Sequence, residues 1–285
     1  MKPEAYAIGE TAAGRHRSAS LVFARGGGRS ALVRQATPYP FHVTKPFALD
    51  RERPELATLY LQSASGGIYR ADRLDLSLSV KAGASAHVTS QAATVVHDTG
   101  ALPARQTTRV EVGPSAFAAL TLDPLVMFPG AELSTATEVR LAEGALAIIA
   151  DGVAWHDFAG KDRPFGRLSA ETVVRGPDGG TLVRDRATVL GAELMGARSL
   201  LGPSSGAYGS AMLLGPKEQL PDPAAVEAAL DAVGCRAGAS PLPNGAGLGV
   251  RMIAANGGRI TLAVEALFAL GVEAMLGFSP ARRRK

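Results

Sequence analysis

The chain has 285 residues, 46% of them hydrophobic but only 5% aromatic, and 33 are glycine; this argues against disorder and for a core of Ala, Val and Leu. Of the formal net charge of +4, the terminal Arg282–Lys285 supply all four, so the body is near neutral and no basic stripe suggests nucleic acid; the short tail itself reads as solvated. The single Cys235 excludes an internal disulfide framework, the N-terminus shows no apolar secretion signal, and the apolar stretch Ile260–Leu276 is broken by Glu265, Gly271 and Glu273, so a cytoplasmic chain without a membrane span is expected.

In chain order, residues 1–19 carry no pattern and are expected to lack order. Arg25-Gly26-Gly27-Gly28-Arg29-Ser30 has no Lys-Ser/Thr ending and no helix after it, so it reads as a hairpin turn rather than a phosphate loop. Period-two patterning then dominates. In 72–80, Leu74, Leu76, Leu78 and Val80 share one face while Asp75, Ser77 and Ser79 take the other. Similar strands are expected in 30–35, 57–62, 85–91, 107–112, 116–122, 135–142, 145–153, 170–176 and 181–190. Pro177-Asp178-Gly179-Gly180 is the turn between the last two. Ten or more short strands before residue 215, with no helical period between them, predict an all-β body of layered or helically wound sheets.

The C-terminal portion changes period. Asp222 and Pro223 open a helix that Gly234 ends, with Val226, Leu230 and Val233 on one side. A strand is expected in 249–255, then a second helix over Arg259–Leu276 with Ile260, Val264, Leu267, Phe268 and Met275 on its apolar face. No linker is visible, so residues 1–285 form a single domain with two C-terminal helices.

Catalytic motifs are scarce. Gly202-Pro203-Ser204-Ser205-Gly206 matches G-x-S-x-G, but a strand-like segment follows it and every histidine, the last being His156, lies upstream. Among His16, His42, His87, His97 and His156, two precede carboxylates, as His97-Asp98 and His156-Asp157. A metal-dependent hydrolase using these four residues is one alternative. No H-E-x-x-H or Cys-His spacing supports a structural zinc site, whereas imidazole and carboxylate suit a weak, exchangeable nickel site.

The ordered string from Leu59 to Asp98 resembles the signature of the UreD (UreH) urease accessory protein family. It contains Ser63, the pair Gly66-Gly67, Asp72-Arg73-Leu74, an alternating strand, Gly83, and the run Thr89-Ser90-Gln91-Ala92-Ala93-Thr94. A similar match is Asp123-Pro124 followed by Phe128-Pro129-Gly130-Ala131. Tyr69–Ala71, Val95–Asp98 and Arg167 depart from the family pattern. On the residues alone, Gly66 and Gly67 allow positive φ in a tight turn, and the Asp72 carboxylate is placed to accept backbone N–H groups that fix it. Thr89, Gln91 and Thr94 read either as strand-edge residues or as a polar interior lining.

The resemblance implies a non-enzymatic protein with no tightly bound cofactor. Its partners would be UreF and the GTP-dependent, nickel-carrying UreG, together with apo-urease, and Ni²⁺ would pass through transiently. Asp72, Thr89, Gln91, His97, Asp98 and Asp123 are the candidates along such a path. A diverged relative with other partners is the second alternative.

Overall fold

The computed structural model describes residues 14–50, 53–201 and 206–283. The chain opens with a hairpin of β1 (His16–Gly26) and β2 (Arg29–Ala36), closed by Gly27 and Gly28, as the Gly-rich stretch predicts. β1 starts inside the stretch expected to lack order. It lies parallel to β5 (Arg73–Val80) from His16 opposite Arg73 to Phe23 opposite Val80, and this long-range pairing buries Ala19, Leu21 and Phe23. Nothing local in the sequence announces such a pairing. Residues 1–13 of that expectation, and residues 202–205 of the G-x-S-x-G match, lie outside the described residues.

After β3 (Phe41–Val43) the chain winds as a β-solenoid, laying successive strands alternately in two facing sheets. β4 (Leu56–Ser63), β6 (Ser85–Ser90), β9 (Phe117–Thr121) and β12 (Leu146–Trp155) run parallel in one. β5, β8 (Ala104–Val112), β11 (Glu132–Leu141) and β13 (Arg167–Arg175) run parallel in the other. Two short strands, β7 (Val95–Val96) and β10 (Leu125–Met127), pair with each other along one edge. The Pro177–Gly180 turn sends the chain back into β14 (Thr181–Leu190), antiparallel to β13.

The sheet of β5, β8, β11 and β13 keeps a clean alternation because its outer face meets solvent. The other sheet is covered on both faces, which is why β4, β6 and β9 and the first half of β12 are buried almost throughout, apolar in most positions but with His87, Thr89 and Ser90 on β6. β15 (Ala207–Leu214), β16 (Cys235–Pro241) and β17 (Gly247–Ala254) extend it antiparallel. Its outer face is covered by α2 (Pro223–Ala232) and α3 (Gly257–Leu276). Asp222 caps α2 by accepting from the Ala224 and Ala225 amides, and Gly277 ends α3 in the left-handed region. All five residues expected on the apolar face of α3 are buried, each Leu- or Phe-sized side chain contributing roughly 1.5–3 kcal/mol.

Several elements were not foreseen, among them β1 and the short strands β3, β7 and β10. α1 (Gly191–Leu201) carries no apolar period, and β16 is rich in Gly, Ala and Ser, poor strand formers that the pairing with β17 overrides. The basic tail also departs from expectation: Arg283 is folded back onto the protein with its side chain only 3% exposed. Among the described residues no helix is long and apolar enough to cross a membrane.

Candidate functional site

Two apolar layers fill the space between the sheets. One lies toward the short turns (Leu78, Val110, Val139, Ile149), the other toward the long loops (Leu74, Met127, Leu133, Leu168). Between them the inward positions change chemistry. Along β8 they run Ala104, Gln106, Thr108, Val110, and along β11 Leu133, Thr135, Thr137, Val139. The register sets Thr108 beside Thr137, Thr137 beside Thr172, and Thr172 beside Asp185. A row of polar side chains therefore crosses the strands at right angles and follows the axis of the solenoid.

From the opposite sheet, Asp151 of β12 and Ser90 of β6 face this row across a cavity of about 140 Å³. A smaller cavity of about 30 Å³ shares Leu125, Thr135, Asp151 and Gly152 with it and continues to Asp185, Tyr208 and Ser210. At the other end, Gln62, Ser63, Ala92 and Thr94 belong both to the large cavity and to a surface groove of about 520 Å³ that also includes Gly66, Gly67 and Gln91. The groove is built by the two ends of the Leu59–Asp98 signature, and it adjoins the axial row. Apolar side chains such as Leu61, Leu120, Leu122 and Leu125 make up much of the wall, and beside the hydroxyls and carboxylates set among them the space has room for water.

Electrostatics follow from this enclosure. Asp151 is reachable by water yet walled by protein, and that desolvation pushes its carboxyl above the usual range against the hydrogen bond from Ser210 Oγ (2.7 Å) and the charge of Arg251. Arg251 of β17 donates to Asp185 of β14 and so ties the two sheets together where the row ends. Among the described residues, no three His, Cys, Asp or Glu side chains converge closely enough to hold a metal ion. What the walls offer is a succession of single oxygen ligands.

The sequence-derived candidates fall into four places. Asp123 lines the cavity; its amide donates to Ser90 Oγ (2.7 Å) and its carboxylate accepts from Thr261 of α3 (3.4 Å). Thr89 points the other way, toward α3, and donates to the Thr121 carbonyl (2.8 Å). Gln91 and Ala92 are exposed in the groove.

Asp72, His97 and Asp98 occupy the long-loop edge instead. The buried Asp72 carboxylate accepts from the amides of Tyr69 (2.7 Å) and Arg15 (3.0 Å) and from the Arg15 guanidinium. Burial alone would raise its pKa, but these donors outweigh burial and hold it below the ordinary value. Asp72 thus fixes the turn, as its position suggested. His97 Nε2 lies 2.9 Å from the Gly66 carbonyl, and its ring stacks on Tyr69 at 4.4 Å. Phe128 packs edge-on against the same ring, and the Asp98 carboxylate accepts from the Gly100 amide (2.8 Å). The Gly130 amide donates to the Pro164 carbonyl (3.3 Å), and Ser63 Oγ accepts from the Ser65 amide (3.3 Å).

Two corrections follow. Of the paired glycines only Gly67 takes positive φ (136°), and a Cβ there would lie 2.3 Å from the Val95 carbonyl oxygen. Asp157, grouped with His156 as a hydrolytic pair, is committed elsewhere. The Arg163 guanidinium, then the amides of Arg163, Ala159 and Lys161, hold its carboxyl well below the usual range, while His156 faces Phe128. Sequence reading missed Thr108, Thr135, Thr137, Thr172, Asp151 and Asp185. Their signal was present: each is a polar residue at an inward position of an otherwise regular strand.

Comparison with known proteins places the chain. The family described as UreD urease accessory protein matches residues 15–285. Urease accessory protein UreD 1 of Methylorubrum extorquens (strain PA1) is 49% identical over 95% of this chain and 92% of its own. Urease accessory protein UreD 3 of Bradyrhizobium sp. (strain ORS 278) is 45% identical over 95% and 96%. A more distant relative, urease accessory protein UreD 1 of Pseudomonas syringae pv. syringae (strain B728a), is 31% identical over 94% and 95%. With its signature forming the groove beside an axial cavity that a row of polar side chains crosses, the chain belongs to the UreD family of urease accessory proteins.

Proposed function

We propose that this protein serves in the cytoplasm as a docking platform and conduit during nickel loading of urease, bound to UreF and UreG homologues and to apo-urease. The observation that carries the conduit is the polar row from the signature groove to Asp185, set between two apolar layers. A cation that must leave as readily as it enters needs single, exchangeable oxygen ligands rather than a closed set of imidazoles and thiolates. Hydroxyls of Thr108 and Thr137 and the carboxylates of Asp123, Asp151 and Asp185 meet that need, and the space between them has room for water to keep the ion hydrated. No covalent step is required of the chain. Its contribution is to hold the path dry on both sides and polar along its middle.

The test is a deletion strain complemented with the tagged full-length chain. The tagged protein is expected to co-purify with the UreF and UreG homologues. Without it, urease is expected to accumulate at normal levels with little nickel. Fully nickel-loaded, active urease in the deletion strain would remove the reading.

A further inference from the structure

A second polar site lies on the opposite face of the same sheet, under α3. There β6 and β9 turn His87, Thr89 and Thr121 outward, and α3 turns Glu265 and Phe268 toward them. His87 Nε2 is 2.8 Å from Thr121 Oγ1, and its ring stacks on Phe268 at 3.9 Å.

The site is filled by the chain's own end. After Gly277 the backbone leaves α3 and is led back. The Arg53 guanidinium donates to the Leu276 carbonyl (3.2 Å) and lies 4.2 Å from the centre of the Phe278 ring, and the Ala281 amide donates to Asp50 (2.5 Å). Arg283 then enters the site. Its Nη1 donates to Thr89 Oγ1 and to Thr121 Oγ1 (3.3 Å), its Nη2 lies 3.4 Å from Glu265 Oε1, and its guanidinium carbon lies 5.8 Å from the centre of the Phe268 ring. Arg282, one residue earlier, is exposed.

These features select one chemical group. Two hydroxyl oxygens on one side, a carboxylate at the end and an aromatic ring beside them suit a flat, delocalised cation with several N–H donors better than a compact ammonium. The fit is not tight. Desolvation works against the charge of Arg283, opposed by Glu265 and Asp123, and among the described residues its ion pair with Glu265 stands at 3.4 Å.

We propose that this is a guanidinium-binding pocket whose resident ligand is Arg283, and that the C-terminal tail is a latch which an arginine side chain of a partner polypeptide can displace. The tail competes through its short tether, at an effective concentration on the order of millimolar, so an incoming arginine needs its own docking contacts to win.

The experiment uses the full-length protein, selectively labelled at histidine, titrated with ethylguanidinium and, as a control, ethylammonium. The Arg283→Ala variant is expected to bind ethylguanidinium saturably, with a shift of the His87 ring signals, and not to bind ethylammonium. Wild type and Arg282→Ala are expected to require at least ~10-fold more probe for the same shift. Arg283→Lys, which keeps the charge, covers the case in which the alanine variant fails to fold; it is expected to give way to the probe at intermediate concentration. A peptide of sequence GFSPARRRK should bind Arg283→Ala more tightly than the same peptide with alanine at its second arginine. Identical titrations of wild type and Arg283→Ala, a lysine variant that resists the probe as wild type does, or equal binding of the two peptides would overturn the proposal.

Discussion

The two edges of the solenoid are built by different means. At one edge the turns around Gly83, Gly113 and Gly144 are short and stack on each other through the backbone. The Gly83 amide donates to the Pro114 carbonyl (2.9 Å), and the Ser115 amide donates to the Glu143 carbonyl (3.0 Å). At the other edge the chain crosses between sheets through long loops, around 64–72, 91–103, 122–131 and 156–166. Side chains organise these loops: Asp72 gathers Tyr69 and Arg15, Asp157 gathers three amides and Arg163, and Tyr69 stacks on His97. Repetition makes the first edge indifferent to most side chains. The second edge is free to vary and forms the groove, but it depends on particular residues.

Removing Asp72 should expose this dependence most strongly. Asp72→Ala leaves the Arg15 guanidinium, whose side chain is 20% exposed, beside unpaired amides. The expected loss is about 3 kcal/mol in urea unfolding at neutral pH. Its pH dependence has a definite sign. The folded-state pKa of Asp72 lies below its unfolded value, so its stabilisation is present above about pH 4 and is lost as pH falls through the folded value. The gap between wild type and variant should therefore narrow in acid, and a gap independent of pH would assign the effect to something other than this carboxylate.

The glycines give a smaller and more direct contrast. At the long-loop edge, Gly67→Ala meets the Val95 carbonyl at 2.3 Å with φ at 136°, and neither backbone can yield cheaply. A loss of about 2 kcal/mol is expected. At the short-turn edge, Gly83→Ala has φ at 65° with its nearest neighbour, Arg25 Cδ, at 3.9 Å, so it bears only the left-handed backbone term of about 1 kcal/mol. Equal losses in paired denaturation curves would break the distinction between the edges.

How much of this could be read from the residues follows the same division. The strands were legible because alternation in segments such as 72–80 is local, α2 because Asp222, Pro223 and Gly234 punctuate it, and α3 because Ile260, Val264, Leu267, Phe268 and Met275 recur on one face. Asp72 could be placed in its turn because the Tyr69 amide is three residues away, but its partner Arg15 is 57 residues away, beyond any local pattern. The axial row was half visible. Each inward Thr breaks the period of its own strand, yet only the register of four strands shows that Thr108, Thr137, Thr172 and Asp185 form one line. Arg283 was misread for a related reason: a run of arginines looks solvated until tertiary structure brings Thr89, Thr121 and Glu265 to one of them.

The mildest change to the fold should separate the conduit from the platform. Thr137→Val keeps the shape of a half-buried side chain and removes one hydroxyl from the middle of the row. Because that hydroxyl lines a cavity with room for water, its loss should alter unfolding by less than about 1 kcal/mol. The groove and the outer surfaces are untouched, so recovery of the partner complex should not change. Nickel per urease in the complemented deletion strain should nevertheless fall to less than about half, since an apolar wall interrupts the oxygen ligands between Thr108 and Thr172. Gly83→Ala is the matched control, costing more stability at the short-turn edge while leaving the row intact. If Thr137→Val loads nickel as well as that control does, the ion does not travel between the sheets, and the protein acts in maturation through its surfaces alone.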